Sequence, residues 1–294
     1  MDVSLHDSKK ARKIAAAVSL LKQQEMAILA VTRPYENPME VLNVIRKDQF
    51  DLFLKTVNLS LSTNQTEATV CRVVNETMYD ILATANTYIK FPSTIQEIEA
   101  LENGFSAKTD YLGNNRKIPC FGCFDGKHWA TEHPPNSGSV NNDAQLTKEG
   151  PLPGMLEEVR GYADCRLLDD DITVMPRFLL ADNGFKLTKS VMEPYRKTQL
   201  TTENVLFNKK LSAVRVRTEN LFGVLTSKFQ VFDRSLKLAP ENAQALIVAL
   251  MIVHNVQLGP LLVDNSQPSV VAYPDPYKTP EEMRTALKNY VLNN

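Results

Sequence analysis

The chain has few cysteines, and their spacing completes neither a metal site nor a disulfide framework. Only 4 of its 294 residues are cysteine. Cys120 and Cys123 form a C-x-x-C, but no second cysteine pair or spaced histidine pair accompanies them, so no zinc site is predicted. Both lie within an apolar run, which predicts buried core thiols. The low cysteine count and the lack of a recognisable signal peptide favour a reducing compartment.

The chain also has almost no net charge and no long apolar run. Its formal charge is −1 at pH 7, so any nucleic-acid contact must come from a local patch. The longest apolar run, residues 245–253, is too short to cross a bilayer. Residues 186–237 carry eleven Lys or Arg against four acids, whereas residues 138–182 carry nine acids against four bases. This segregation indicates either a basic patch that contacts nucleic acid or solvated faces that differ by chance.

The first thirty residues predict an amphipathic helix over positions 7–31. A basic cluster at residues 9–13 precedes an apolar stretch, as in a signal peptide, but polar residues 22–25 end that stretch and no cleavage site follows. The cluster resembles a nuclear-localisation signal, with an ordinary basic tail as the alternative.

Apolar periodicity predicts further helices along the chain. They are a helix around residues 50–54, one over 67–88 after a capping turn, and others over 95–105, 187–195, 207–231 and 240–255. The helix over 67–88 fits a helix-turn-helix or any small helical bundle.

Two short apolar runs each end in an aspartate that a glycine closely follows. Residues 118–124 precede Asp125, and residues 177–181 precede Asp182. Runs of this length between turn residues predict buried strands. If these strands are parallel neighbours, both carboxylates lie at one edge of the sheet, where such a pair is expected to share a proton or hold a cation.

A third acid, Glu219, lies at the border of the apolar stripe on the helix over 207–231. Arg215 precedes it by one turn and Gly223 follows it by one turn. The pattern fits a plain Arg215–Glu219 surface pair. It also fits a helix that directs the Glu219 carboxylate toward the strand ends. Gly223, which has no side chain, would then let another group approach the helix closely.

The motifs form an ordered series that is specific as a whole. The series is Phe91-Pro-Ser-Thr, Gly122-Cys-Phe-Asp-Gly-Lys-His128, Pro134-Pro-Asn-Ser-Gly138, Leu180-Ala-Asp-Asn-Gly-Phe-Lys-Leu187, Met192-Glu-Pro-Tyr195, Phe207-Asn-Lys-Lys-Leu-Ser-Ala-Val-Arg215, Thr218-Glu-Asn-Leu-Phe-Gly-Val-Leu225 with Phe229, and His254-Asn255. In this order the motifs resemble those of the PIF/Harbinger transposases and the nucleases domesticated from them. The resemblance covers residues 66–258.

The resemblance implies an α/β (α+β) fold, with an RNase H-like DDE nuclease domain and an N-terminal helical region. It implies a catalytic and metal-binding set of Asp125, Asp182 and Glu219 that uses Mg²⁺ or Mn²⁺ to hydrolyse DNA phosphodiester bonds. The implied DNA contacts are Lys127, His128, Asn208, Lys210, Arg215 and Arg217. From the residues alone, His128 also fits a proton carrier or a capped structural histidine.

The residues and the resemblance together predict a helical region over 1–95 that is partly helix-turn-helix-like, a nuclease domain over 96–260, and a Pro-rich tail over 261–294. Thr279-Pro280-Glu-Glu predicts the start of a surface helix in this tail. Family members commonly act in the nucleus with a separate Myb-like DNA-binding protein. The resemblance therefore implies that partner and a nuclear localisation, with the cytoplasm as a further compartment.

The chain departs from the family pattern in a way that indicates internal deletions. Two strands are expected before the second aspartate, but residues 132–171 are polar and loop-like. Their loss would leave the sheet incomplete and uncover the edge of the first catalytic strand. The chain is then a decaying transposon copy, the product of a faulty gene model, or a protein in which another element or a partner covers the edge. The alternative function is a catalytically impaired DNA- or protein-binding transposon remnant.

Overall fold

The computed structural model describes residues 47–57, 66–89, 91–106, 118–126, 164–258 and 271–292, together with Arg116, Trp129 and Tyr162. The helices of this part are α1 (Lys47–Val57), α2 (Glu67–Leu82), α3 (Ala85–Tyr88), α4 (Ile95–Ser106), α5 (Thr202–Lys228), α6 (Pro240–Leu258) and α7 (Pro280–Leu292). The strands are β1 (Cys120–Cys123), β2 (Arg166–Leu167), β3 (Val174–Met175), β4 (Phe178–Leu180) and β5 (Val191–Met192). The predicted helix over 7–31 lies outside the described residues.

Most of the predicted helices are confirmed, because local sequence signals fix them. The capping turn ends at Thr66, whose Oγ1 accepts a hydrogen bond from the N–H of Thr69 at 3.4 Å at the start of α2. Glu67 stands in the first turn of α2, near the positive end of the helix dipole. The patterns over 95–105, 207–231 and 240–255 correspond to α4, α5 and α6.

Three parallel strands form the central sheet in the order β1-β4-β5. Cys120 lies opposite Phe178 and Cys123 opposite Leu180, and β5 pairs with the other side of β4. Every residue of the three strands is buried, as expected for a parallel sheet with both faces covered. The helices and the small parallel sheet agree with the predicted α/β class.

The short helix predicted over 187–195 is wrong, because part of this segment forms β5. Thr188 Oγ1 accepts hydrogen bonds from the N–H groups of Ser190 and Val191 at 3.2 and 3.0 Å, which closes a turn before the strand. Pro194 has no N–H with which to continue a helix. Pairing with the buried strand β4 therefore overrides the local helical pattern.

The prediction that residues 132–171 lack strands is wrong for Arg166–Leu167, which form β2. Strands β2 and β3 form an antiparallel hairpin with Arg166 opposite Met175. The Asp170 carboxylate builds its turn by accepting from the N–H of Thr173 at 2.8 Å, while Asp171 adopts φ 55°, which aspartate tolerates. Each strand has only two residues, too few to stand out as an apolar run.

Helix α4 and two buried arginines pack against β1, one of the two outer strands of the described sheet. Arg166 forms an ion pair with Glu102 of α4 and donates from Nη2 to the carbonyl of Pro119 at 3.2 Å. Arg177 pairs with Glu99 of α4 at 2.8 Å. These contacts attach α4 to one face of the sheet, and the three explanations for the expected strands stay predictions.

The first of three apolar clusters joins the predicted N-terminal helical region to the rest of the protein. Phe53 of α1 and Ile81 of α2 share this cluster, the helical core, with Phe222 of α5 and Leu246 of α6. This shared core favours a small helical bundle over a separately folded helix-turn-helix.

The second cluster packs the sheet against α5 and α7. Helix α7 contributes buried side chains, namely Met283, Leu287, Tyr290 and Val291. The helix predicted near the C-terminus therefore exists, but one of its faces is part of the core. A third cluster lies between α4 and the sheet. Among the described residues, no helix is long and apolar enough to span a membrane.

Candidate functional site

Asp125 and Asp182 emerge side by side from the carboxyl edge of the sheet. Each lies two residues beyond its strand, and Cys123 is opposite Leu180 in the β1–β4 pairing. The residue before each aspartate still bonds to the neighbouring strand: Phe124 N–H donates to Leu180 O at 2.5 Å, and Ala181 N–H donates to Met192 O at 2.9 Å. The two strands are thus parallel neighbours, which is the condition under which both carboxylates lie at one edge of the sheet.

The backbone of β1 is irregular just before Asp125. Cys120 and Cys123 are three residues apart but lie opposite residues of β4 that are two apart, so β1 contains a bulge. Bulges re-aim the side chains that follow them and recur beside active sites. The bulge therefore helps to set the direction in which the chain leaves the sheet toward Asp125.

Both aspartates are half-buried and are anchored by glycine N–H groups. Gly126 N–H donates to Asp125 Oδ1 at 3.0 Å, and Gly184 N–H donates to Asp182 Oδ1 at 2.8 Å. The glycine after each aspartate is thus part of the local structure that orients the carboxylate. Half-buried carboxylates fixed in this way can accept a proton, a hydrogen bond or a cation.

An open groove of about 670 Å³ lies where the end of β1 meets α5. Its lining residues are Asp125, Gly126, Phe222, Gly223, Thr226, Ser227 and Asp233. The sheet thus supplies one wall, and one face of α5 with the turn after it supplies the other. Asp182 is on the strand beside this wall and is not among the lining residues.

Glu219 lies on the α5 face that lines the groove. It precedes Phe222 by three positions, Gly223 by four and Thr226 by seven, and residues at these spacings share one helix face. The structure describes the backbone of Glu219, while its side chain and that of Arg217 lie outside the description. The predicted Arg215–Glu219 pair therefore stays a prediction.

Gly223 lies in the α5 wall of the groove. A Cβ at this position would meet nothing within 4 Å, so the space above it is open. The expected close approach of another group over Gly223 stays a prediction.

Asp233 is an acid at the groove that the sequence did not single out. It is exposed and ends the 3-10 turn Gln230–Asp233 that follows α5. It is one of the four acids in the basic stretch 186–237, but nothing in its neighbourhood along the chain signals that the turn folds back beside Asp125.

Trp129 ties the chain after Asp125 to the helical core, a contact that the sequence also did not indicate. Its ring stacks on Phe232 with centroids 4.9 Å apart and meets Phe222 edge-on at 5.9 Å. Phe222 lines the groove, and Phe232 precedes Asp233.

The predicted DNA-contacting residues fall into three groups. Lys127 and His128 lie outside the described residues. Asn208 and Lys210 are engaged within the protein: Asn208 bonds in both directions with the backbone of Tyr195 at 2.8 Å, and Lys210 Nζ donates to Val291 O at 2.7 Å. Burial lowers the pKa of Lys210. Arg215 is half-buried on α5.

Cys120, Cys123 and His254 are buried inside the protein. Cys120 and Cys123 are fully buried, as predicted, and burial raises the pKa of Cys120 well above its ordinary value. His254 is also buried, with Nδ1 3.3 Å from Lys228 Nζ. Among the side chains that the structure describes, no three His, Cys, Asp or Glu residues form a group that could hold a metal.

Comparison with known proteins gives one match. Residues 146–255 match the family model described as DDE superfamily endonuclease. The matched segment contains Asp182, Glu219 and the elements from β2 into α6, whereas Asp125 precedes it. No curated protein and no solved structure matches the chain. The match supports a relationship to the DDE superfamily and a nuclease-like function derived from a transposase.

Proposed function

We propose that this protein is a divalent-metal-dependent DNA endonuclease derived from a PIF/Harbinger transposase, with an RNase H-like domain. Its catalytic and metal-binding set is Asp125, Asp182 and Glu219. The observation that carries the proposal is the parallel pairing of β1 with β4, which brings two aspartates to one sheet edge, and Asp125 shares a groove with one face of α5. The family match over residues 146–255 supports the reaction class.

The donor set fits Mg²⁺ or Mn²⁺. Both cations prefer oxygen ligands, and the three residues are carboxylates. Asp125 and Asp182 would hold the cations from the sheet, and Glu219 from the helix. When bound, such ions polarise the phosphodiester and lower the pKa of the attacking water. The glycine N–H groups that hold Asp125 and Asp182 limit rotation of these carboxylates, which keeps the donor atoms in place between turnovers.

The DNA backbone would be held by cations next to the acids. Lys127 and His128 follow Asp125 by two and three residues, and Arg215 and Arg217 precede Glu219 on α5 by four and two. We assign phosphate contacts to these four residues, because cations beside a cleavage site offset the charge of the backbone. Asn208 and Lys210 instead have internal partners, so we assign them a structural role.

The cellular setting follows from the same relationship. We assign the protein to the nucleus, where chromosomal DNA would be its substrate, and a Myb-like DNA-binding protein would supply site recognition. The basic cluster at residues 9–13 is the candidate import signal.

Nicking of supercoiled plasmid tests the proposal. Asp125→Asn, Asp182→Asn and Glu219→Gln should each lower the Mn²⁺- or Mg²⁺-supported rate by about a hundredfold or more, equivalent to about 3 kcal/mol of transition-state stabilisation. Asp171→Asn is the matched control, since Asp171 is an exposed acid on the β2–β3 turn and asparagine tolerates its positive φ.

Two results would contradict the proposal. Cleavage that survives all three carboxylate substitutions would have to arise at another site. Salt-dependent DNA binding by the unaltered protein, with no metal-dependent nicking, would identify the binding remnant instead.

A further inference from the structure

The only tryptophan in the chain lies four residues after Asp125, where the polypeptide crosses from the sheet to the helices. Four residues span at most about 14 Å, so the position of Trp129 restricts where the backbone of Asp125 can lie. The structure gives the ring two partners, Phe232 and Phe222. Trp129 is therefore packed against buried residues of the helical core.

Both partners of Trp129 belong to the second wall of the groove. Phe222 lines the groove itself and lies three residues after Glu219 on α5. Phe232 is in the turn that ends at Asp233, another lining residue. Both phenylalanines are buried in the helical core, and Phe229 braces Phe232 edge-on at 6.4 Å. Trp129 is therefore held by the same elements that face Asp125.

We propose that Trp129 is a positioning residue that clamps the loop carrying Asp125 against the α5 face carrying Glu219. This inference rests on the proposed nuclease function and assigns a role within the same site. Helix α5 contributes its first half to the cluster of the sheet and its second half to the helical core, so it already links these two clusters. The clamp joins the two within four residues of the first catalytic aspartate.

The geometry of the clamp requires a large aromatic ring. One face of the Trp129 ring stacks on Phe232 at an interplanar angle of 29°, while the ring meets Phe222 at 83°. An aliphatic side chain has no ring to make either contact. Metal-assisted chemistry is sensitive to such positioning, because a misplacement of about 1 Å can lower a rate by about a hundredfold.

Plasmid nicking by three variants separates positioning from packing. Trp129→Ala should lower kcat at least tenfold and raise the Mn²⁺ concentration needed for half-maximal rate, with the DNA KM changed less than threefold. Trp129→Phe should recover most of the kcat, because it restores an aromatic contact. Phe50→Ala is the matched control: Phe50 is a half-buried aromatic residue of the same helical core, stacks on Phe53, and does not line the groove. It should destabilise the protein without lowering the kcat of the folded fraction.

Amide hydrogen exchange provides a readout that does not depend on cleavage. Gly126 N–H bonds to Asp125 Oδ1, whereas Phe124 N–H bonds within the sheet to Leu180 O. Trp129→Ala should speed exchange at Gly126 at least tenfold and leave exchange at Phe124 unchanged. Phe50→Ala should leave the ratio of the two exchange rates as it is in the unaltered protein.

The outcomes distinguish failure of the clamp from failure of the nuclease. Equal acceleration at Gly126 and Phe124, or an unchanged kcat in Trp129→Ala, would overturn the clamp and leave only a packing role. An unaltered protein that does not cleave DNA overturns the proposed function and with it the catalytic meaning of the clamp. The selective effect at Gly126 would then still show whether Trp129 holds the loop.

Discussion

Gly223 is the residue whose substitution probes the groove with least disturbance of the fold. Glycine is a poor residue inside a helix, and a Cβ at this position meets nothing within 4 Å. Gly223→Ala is therefore expected to raise the free energy of unfolding by about 0.5–1 kcal/mol, measured in urea. Gly223→Leu should fold equally well but fill the groove, lowering the rate of plasmid nicking more than tenfold.

Gly104 in α4 offers the matched control for this experiment. It is also helical and exposed, a Cβ there also meets nothing within 4 Å, and it does not line the groove. Gly104→Leu should leave nicking unchanged. Equal inhibition by both leucine variants, or inhibition by neither, would contradict the assignment of the groove as the substrate site.

His254 should make stability depend on pH in the mildly acidic range. Burial, and then the charge of Lys228, lower the pKa of His254 to about 4, against about 6.5 in an unfolded chain. Between these values the unfolded state binds more protons than the folded state, so the free energy of unfolding falls as pH decreases from about 6.5 to 4. Urea unfolding at half-unit pH intervals measures this slope.

A neutral replacement isolates the histidine contribution. His254→Gln should flatten the change between pH 6.5 and 4 while leaving other titrations in place. One of these is Glu193, whose pKa is raised by burial, so its protonation favours the folded state as pH falls and acts in the opposite direction. The histidine assignment would be wrong if the unaltered protein and the variant showed the same slope.

At the scale of single residues, the sequence located the two aspartates because each follows a short apolar run that forms a buried strand. Asp233 and Trp129 were not recognised. Their roles come from contacts with residues about a hundred positions away in the chain, for which a single sequence has no local signal.

At the scale of elements, the attachment of α4 to the sheet is the feature most open to test. Arg166 and Glu102 form a buried pair, with 7% and 13% of their side chains exposed. Glu102→Ala would leave the Arg166 charge buried without this partner, so a loss of about 3 kcal/mol of stability is expected in urea unfolding.

The surface pair of Arg72 and Glu76 provides the comparison, since 63% and 37% of these side chains are exposed. Glu76→Ala should change stability by less than about 1 kcal/mol. If the two glutamate variants lost the same stability, the buried pair would not be an important attachment of α4 to the sheet.

Prediction of elements succeeded where the signal is local and failed where it is tertiary. Helices α2, α4, α5 and α6 show caps or long apolar periods that a sequence displays. Strands β2, β3 and β5 have two residues each and exist only because partners pair with them. The local sequence around β5 therefore predicts a helix, although pairing with β4 makes it a strand.

At the scale of the whole molecule, the site lies where two apolar clusters meet. The sheet with α7 forms one apolar cluster, and α1, α2 and α6 form another that α5 joins through its second half. The groove lies at this junction, between the end of β1 and α5. The sequence could predict the parts of the site, but the distance between Glu219 and the aspartates depends on how these clusters pack.

The proposed metal site can be tested most directly by mapping it through local cleavage of the protein. Fe²⁺ substitutes for Mg²⁺ at oxygen-rich sites, and the radicals it generates with ascorbate and peroxide cut the nearby polypeptide. A shared metal site predicts cuts close to Asp125, Asp182 and Glu219, all suppressed by excess Mg²⁺ and lost in Asp125→Asn. Cuts at only one of these segments, or cuts that ignore Mg²⁺, would contradict convergence of the three carboxylates on one metal site.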